Sequence, residues 1–175
     1  MTRGHDAASI RQILVVGIGN PDRGDDGIGP LAVRQLARRM SHDVSPNVAI
    51  VERSGDALAL IDDWAGYDAV ILVDAAAPGS LPGRVHRIDL LADELPAGAS
   101  LSSTHGFGVA EAVGLARALD LLPRHVIAYA IDGAQFDPGT PISHEVAAAV
   151  DDVVARVAGE LDRLAVALAQ AACVA

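Results

Sequence analysis

Three side chains of metal-binding type sit at widely separated points of this chain. Each lies where a strand gives way to a turn or a helix begins. Asp26 lies in the run Ile13-Leu-Val-Val-Gly-Ile-Gly-Asn20-Pro-Asp-Arg-Gly-Asp25-Asp26-Gly-Ile-Gly29, an apolar stretch that leads straight into a glycine-rich turn. Asp74 lies in Val73-Asp74-Ala75, and His105 in Ser103-Thr104-His105-Gly106. A carboxylate at the end of a buried strand is costly unless it is paired, solvated or bound to a metal. Two carboxylates and an imidazole form a mixed oxygen and nitrogen donor set. Such a set suits a divalent transition ion that keeps positions open for water or substrate. Manganese, cobalt, nickel and zinc all accept it, so the residues alone do not choose the ion. The absence of thiolate argues against a closed structural zinc site. Asp132, which closes the last apolar strand, is a further candidate by position alone.

Each residue also has a plain structural reading. Asp25 reads as a helix N-cap, a position that favours Asp. Asp26 alone could answer a helix macrodipole from the first turn. Asp74 could cap a loop by bonding its own backbone, and His105 could be a surface or cap residue. The three together, at three separate element ends, are harder to read that way. The other histidines, His5, His42, His86, His125 and His144, read as solvated or structural.

Two rival chemistries fit poorly. Gly17-Ile-Gly19 after a strand is like a dinucleotide-binding turn, with Glu52 placed to hold a ribose. The third glycine of that fingerprint falls on Asp22, and Asp22, Asp25 and Asp26 oppose a pyrophosphate at a helix N-terminus. Covalent catalysis lacks a Gly-x-Ser-x-Gly elbow. Ser102 and Ser103 are near His105 only in sequence, and Cys173 ends an apolar helical segment without an electropositive setting.

The elements that must position these groups alternate. Ile13–Ile18 is a continuous apolar run, as in a strand buried on both faces. Helical spacing follows over 27–40, with Arg34, Arg38 and Arg39 late, where a helix favours cations. Strands are expected over 48–51, 69–73 and 126–131, and helices over 57–64 and 106–121. A turn cluster spans 78–83, and 84–89 alternates like a half-exposed edge strand. Ser143 reads as the N-cap of a long last helix with Glu145 in its first turn. This order predicts a three-layer α/β/α single domain with a largely parallel, twisted sheet of about five strands. Residues 1–10 are expected to be a flexible tail and 11–175 the single catalytic domain. In such a sheet the carboxyl ends of the strands border one crevice, where Asp26, Asp74 and His105 could meet.

Composition narrows the partners. The chain has 175 residues, 51% hydrophobic but only 3% aromatic, so its core must be aliphatic. A net charge of −10 argues against nucleic acid and against an anionic membrane surface. One cysteine gives no internal disulfide, and no uncharged apolar run is long enough to span a bilayer. The start lacks a secretory apolar region, so a cytoplasmic location is expected.

These motifs resemble the hydrogenase maturation protease family, from Ile13 to about Val157. The resemblance rests on Gly17-Ile-Gly19-Asn20 followed by Asp25-Asp26-Gly27-Ile-Gly29, on Val73-Asp74-Ala75, and on Ser103-Thr104-His105. Ile131-Asp132-Gly133-Ala134-Gln135-Phe136 and Pro141-Ile142-Ser143 are similar to the family's last strand, loop and helix start. The resemblance implies an endopeptidase that trims the C-terminus of a nickel–iron hydrogenase large-subunit precursor after nickel insertion. It implies Asp26, Asp74 and His105 as the contacts to nickel carried by the precursor, with Asp26 and Asp74 catalytic. In vitro another divalent cation could take the nickel's place. Gly19, Asn20, Gly27 and Gly29 would shape the loop. Asp132 is not a ligand by the resemblance. Two hydrolytic routes stay open: water activated on the metal, or aspartic-type acid/base work by Asp26 or Asp74. A noncatalytic metal-binding chaperone for the same precursor is the alternative function.

Overall fold

The computed structural model describes residues 12–40, 47–78, 81–92 and 108–173, with side chains placed to residue 171. Among the described residues five strands form one sheet: β1 (Ile13–Ile18), β2 (Val48–Arg53), β3 (Ala69–Ala76), β4 (Val85–Asp89) and β5 (His125–Asp132). Four helices accompany them there: α1 (Ile28–Met40), α2 (Ala57–Trp64), α3 (Val109–Ala118) and α4 (His144–Cys173). A 3-10 turn, Gly24–Gly27, joins β1 to α1. The strand order is β2-β1-β3-β5-β4. All neighbours are parallel except the edge strand β4, which runs against β5.

The residues explain the layers. Every position of β1 and β3 is buried, because each carries apolar side chains toward both faces. Ile13, Val15, Ile71, Val73, Ile127, Tyr129 and Ile131 pack with α1 and α4 on one face. Leu14, Val16, Val70, Leu72, Val126 and Ala128 pack with α2 and α3 on the other. The three-layer, mostly parallel α/β architecture is thus the one the strand–helix alternation predicts. With few aromatics, Trp64 and Tyr129 are the largest fully buried side chains among the described residues, and the other buried hydrophobic residues described are aliphatic. Among the described residues no helix is long and apolar enough to cross a membrane.

Several elements are longer or shorter than their sequence pattern suggests. β2 runs on to Arg53 and β3 to Ala76, so Asp74 lies within its strand rather than at its end. α3 covers only Val109–Ala118 of the expected 106–121. The tail expected over 1–10 lies outside the described residues.

The connections create a switch point. From β1 the chain goes outward to β2, then returns to place β3 on the opposite side of β1. At such a point the loops after the two central strands part, leaving a crevice beyond their carboxyl ends. Asp26 follows β1, and Asp74 lies near the end of β3.

Candidate active site

The turn after β1 is built so that Asp26 reaches the crevice. Gly19 has φ +132°, and a Cβ there would overlap the Asp26 carbonyl oxygen, so only glycine fits. The Asn20 backbone N–H then donates to Asp26 Oδ2 (2.9 Å), and the Asn20 side-chain oxygen accepts from the Asp22 N–H (2.9 Å). Asp26 is only 5% exposed. α1 follows at once and lies directly on the sheet at Gly29, where a Cβ would overlap the carbonyl oxygens of Ile18 and Val73. Gly27 packs against Pro21, leaving 3.0 Å between its Cβ position and Pro21 Cα.

Asp74 projects from β3 to the face covered by α2 and α3, since its neighbours Leu72 and Ala76 lie in that core while Val73 and Ala75 lie in the other. It is buried, and among the described residues neither carboxyl oxygen has a hydrogen-bond partner. Burial, and after it the negative charge of Asp26, pushes the Asp74 carboxyl up to about 8; the nearby Ala75 amide offsets only part of this. Both causes favour the protonated form of Asp74 over its carboxylate. The structure brings Asp26 and Asp74 close enough to interact. His105 lies outside the described residues, and among those described no group of three or more His, Cys, Asp and Glu is placed to hold a metal.

Asp25 is a correction to the sequence reading. It does not cap α1: it lies inside the 3-10 turn, fully buried, and its carboxylate reaches across to the β5–α4 connection. Oδ2 accepts from the backbone N–H groups of Ala134 (2.7 Å) and Gln135 (3.0 Å) and from the Ser143 hydroxyl (3.0 Å). Oδ1 accepts from the Ser143 backbone N–H (2.7 Å). Burial alone would raise this carboxyl, but these four bonds reverse the effect and hold it below the usual range. Ser143 does stand just before α4, with its hydroxyl given to Asp25. The partners are more than 100 positions away, so no local spacing reveals them.

The remaining candidates resolve differently. Asp132 of β5 is paired with His86 of β4, Oδ1 to Nε2 at 3.0 Å, so of the two roles expected for His86, solvated or structural, the structure gives the structural one. Strand register sets His86 opposite Ala130 and Ala130 beside Asp74, and Asp132 beside Ala76. Glu52, the supposed ribose contact, is held by Arg34 of α1 through two bonds of 2.8 and 2.6 Å. The sequence also gave no sign of Glu160, a buried acid on α4 that binds Arg87, Tyr129 and Arg163.

A family model described as hydrogenase maturation protease matches residues 30–160. This chain belongs to the hydrogenase maturation protease family. The matched stretch contains Asp74 and His105, while Asp26 precedes it. Among curated relatives of this family member, the hydrogenase expression/formation protein HupD of Thiocapsa roseopersicina is 32% identical over 128 residues, 72% of this chain and 56% of its own. The HupD of Bradyrhizobium diazoefficiens is 35% identical over 118 residues, 66% and 59%. The chain thus spans a little over half the length of these two relatives. In the solved structures, the hydrogenase maturating endopeptidase HybD from E. coli shares the fold, with TM-score 0.73 over 87% of this chain and 93% of its own at 23% identity. The nickel–iron hydrogenase maturation protease HybD from Thermococcus kodakarensis gives 0.67 over 86% and 98% at 27% identity.

Proposed function

We propose that this maturation protease family member is an endopeptidase that removes the C-terminal extension of a nickel–iron hydrogenase large-subunit precursor once nickel is in place. The nickel arrives with the precursor, as part of the substrate, and is recognised by Asp26, Asp74 and His105. The observation that carries this reading is Asp74: a buried carboxyl whose two oxygens have no hydrogen-bond partner among the described residues, beside a second carboxylate, at the switch point of the sheet. A buried acid without donors lowers stability, and a cation is the partner that would offset that cost.

The donor chemistry fits. The Asn20 amide orients Asp26 through Oδ2. Asp74 exchanges its proton for the cation's charge, so binding releases a proton. His105 precedes Val109 by four residues, a reach of at most about 14 Å. Val109 is buried on the face of the sheet that carries Asp74. α3 runs into β5 through a short turn, with Arg117 near its end donating to the Leu90 carbonyl, so its first turn points toward the carboxyl ends of the strands. Only a loaded precursor would present the ion, which makes cleavage a checkpoint on nickel insertion.

The test mixes purified protein with nickel-loaded precursor and follows the precursor's mass. A shortened large subunit is the expected result; a stable complex without cleavage would mark a chaperone instead. Asp26→Asn, Asp74→Asn and His105→Ala are each expected to abolish shortening while the circular-dichroism spectrum is kept. Full processing by any one of them removes that residue from the mechanism.

A further inference from the structure

We infer that Asp25 is the positioning residue of this site: it locks the turn carrying Asp26 to the 133–143 connection and so sets where the Asp26 carboxylate stands. The inference rests on the proposed role of Asp26 as a cation contact. Asp25 and Asp26 are adjacent, so their side chains leave the backbone in different directions. The Asp26 carboxylate is near enough to Asp74 for their charges to interact, while the Asp25 carboxylate is fully buried against the β5–α4 connection.

The two segments interlock through both backbone and side chain. Gly24 N–H donates to the Thr140 carbonyl (3.0 Å), Asp25 N–H to the Gln135 carbonyl (2.9 Å), and Gly139 N–H to the Asp22 carbonyl (2.7 Å). The Asp25 carboxylate accepts four further bonds, three from backbone N–H groups of Ala134, Gln135 and Ser143 and one from the Ser143 hydroxyl. These donors have no regular secondary structure to satisfy them, and Asp25 supplies the acceptor that a buried loop backbone requires. The same carboxylate therefore fixes the loop, the start of α4 and the turn that presents Asp26. Groups that orient a metal contact without touching the metal change cation affinity strongly when altered.

Asp25→Asn tests this, because it keeps the shape but turns an acceptor into a donor facing N–H groups. The first readout is the Asn20 backbone amide in a 1H–15N spectrum of the full chain, since that N–H bonds Asp26 Oδ2. The second is Ni2+ affinity by titration calorimetry. In Asp25→Asn the Asn20 resonance is expected to shift, its hydrogen exchange to speed up, and Ni2+ affinity to fall about tenfold or more. Glu160→Gln, which loosens the Arg87–Tyr129 network on the α4 side of the sheet, is the control for general destabilisation. It should lower Tm yet leave the Asn20 amide and Ni2+ affinity unchanged. If Asp25→Asn does not fold, Ser143→Ala removes one of the four bonds and should move both readouts the same way by less.

An unmoved Asn20 amide with unchanged Ni2+ affinity in the folded variant overturns the inference. Changes in Glu160→Gln as large as those in Asp25→Asn overturn it too. Failure of the site itself would look different: Asp26→Asn and Asp74→Asn would then keep wild-type Ni2+ affinity, while the Asn20 amide would still report on the lock.

Discussion

Asp25 and Asp26 are neighbours of the same chemical type with opposite fates, and the difference lies in their partners. Asp25 is buried with four donors that favour its ionised form; Asp26 accepts from the Asn20 amide. Asp74 is the third case, buried with no side-chain hydrogen-bond partner among the described residues. Its folded pKa, raised to about 8, means the acid holds its proton in the native state while the unfolded chain has lost it at neutral pH. That difference costs stability, and the cost grows as pH rises from the unfolded pKa toward 8. Asp74→Asn is accordingly expected to raise Tm by a few degrees at pH 7 in the absence of metal, with little change at pH 4, while abolishing precursor cleavage. Thermal melts at the two pH values check it. A lower Tm at pH 7 would mean that Asp74 has a partner in the folded state.

At the scale of elements, the site depends on how closely α1 lies on β1 and β3. Gly29 permits that contact, because the carbonyl oxygens of Ile18 and Val73 occupy the space a side chain would need. Gly29→Ala must push the helix off the sheet and is expected to cost about 3 kcal/mol, at the upper end for overpacking because backbone must move. Gly159 gives the contrast: it lies inside α4, and a Cβ there meets nothing within 4 Å. Gly159→Ala should stabilise by about 0.5–1 kcal/mol, the ordinary helix preference. Urea unfolding of both variants checks the pair. Equal effects of the two would remove the close approach as the reason for glycine at 29.

Across the whole molecule, one buried acid ties the edge strand to the long last helix. Glu160 of α4 binds Arg87 of β4 at 2.7 and 3.0 Å, accepts from the Tyr129 hydroxyl of β5 at 2.8 Å and meets Arg163 at 2.9 Å. The Arg87 guanidinium foremost, helped by Tyr129 and Arg163 against the cost of burial, holds the Glu160 carboxyl at about 2. A folded pKa below the unfolded value adds stability above the unfolded pKa, and that stability is lost as pH falls through about 4.5 toward 2. Both guanidiniums are substantially exposed, which weakens the pairing, so the contribution at pH 7 is about 2 kcal/mol. Glu160→Gln should therefore lower Tm clearly at pH 7, and the gap to wild type should narrow steadily below pH 4.5. A gap that stays constant down to pH 2 would show that Glu160 contributes packing rather than charge.

Much of the architecture was legible in the sequence because it rests on local rules. Continuous apolar runs mark strands buried on both faces, as at Ile13–Ile18 and 126–131, and 3.6-residue spacing marks α1 and α2. The alternation of 84–89 marks the edge strand. The motifs around Asp26, Asp74 and His105 were equally visible, as was the family they belong to. What the linear chain did not disclose were pairings between remote segments: Asp25 with Ser143, His86 with Asp132, Arg34 with Glu52 and Arg87 with Glu160. Hydrogen bonds and charge pairs act over a few ångströms of space, and separation along the chain says nothing about that distance. Only the folded chain decided that Asp25 bonds the 133–143 connection instead of capping a helix, and that Asp74 is buried with no partner among the described residues.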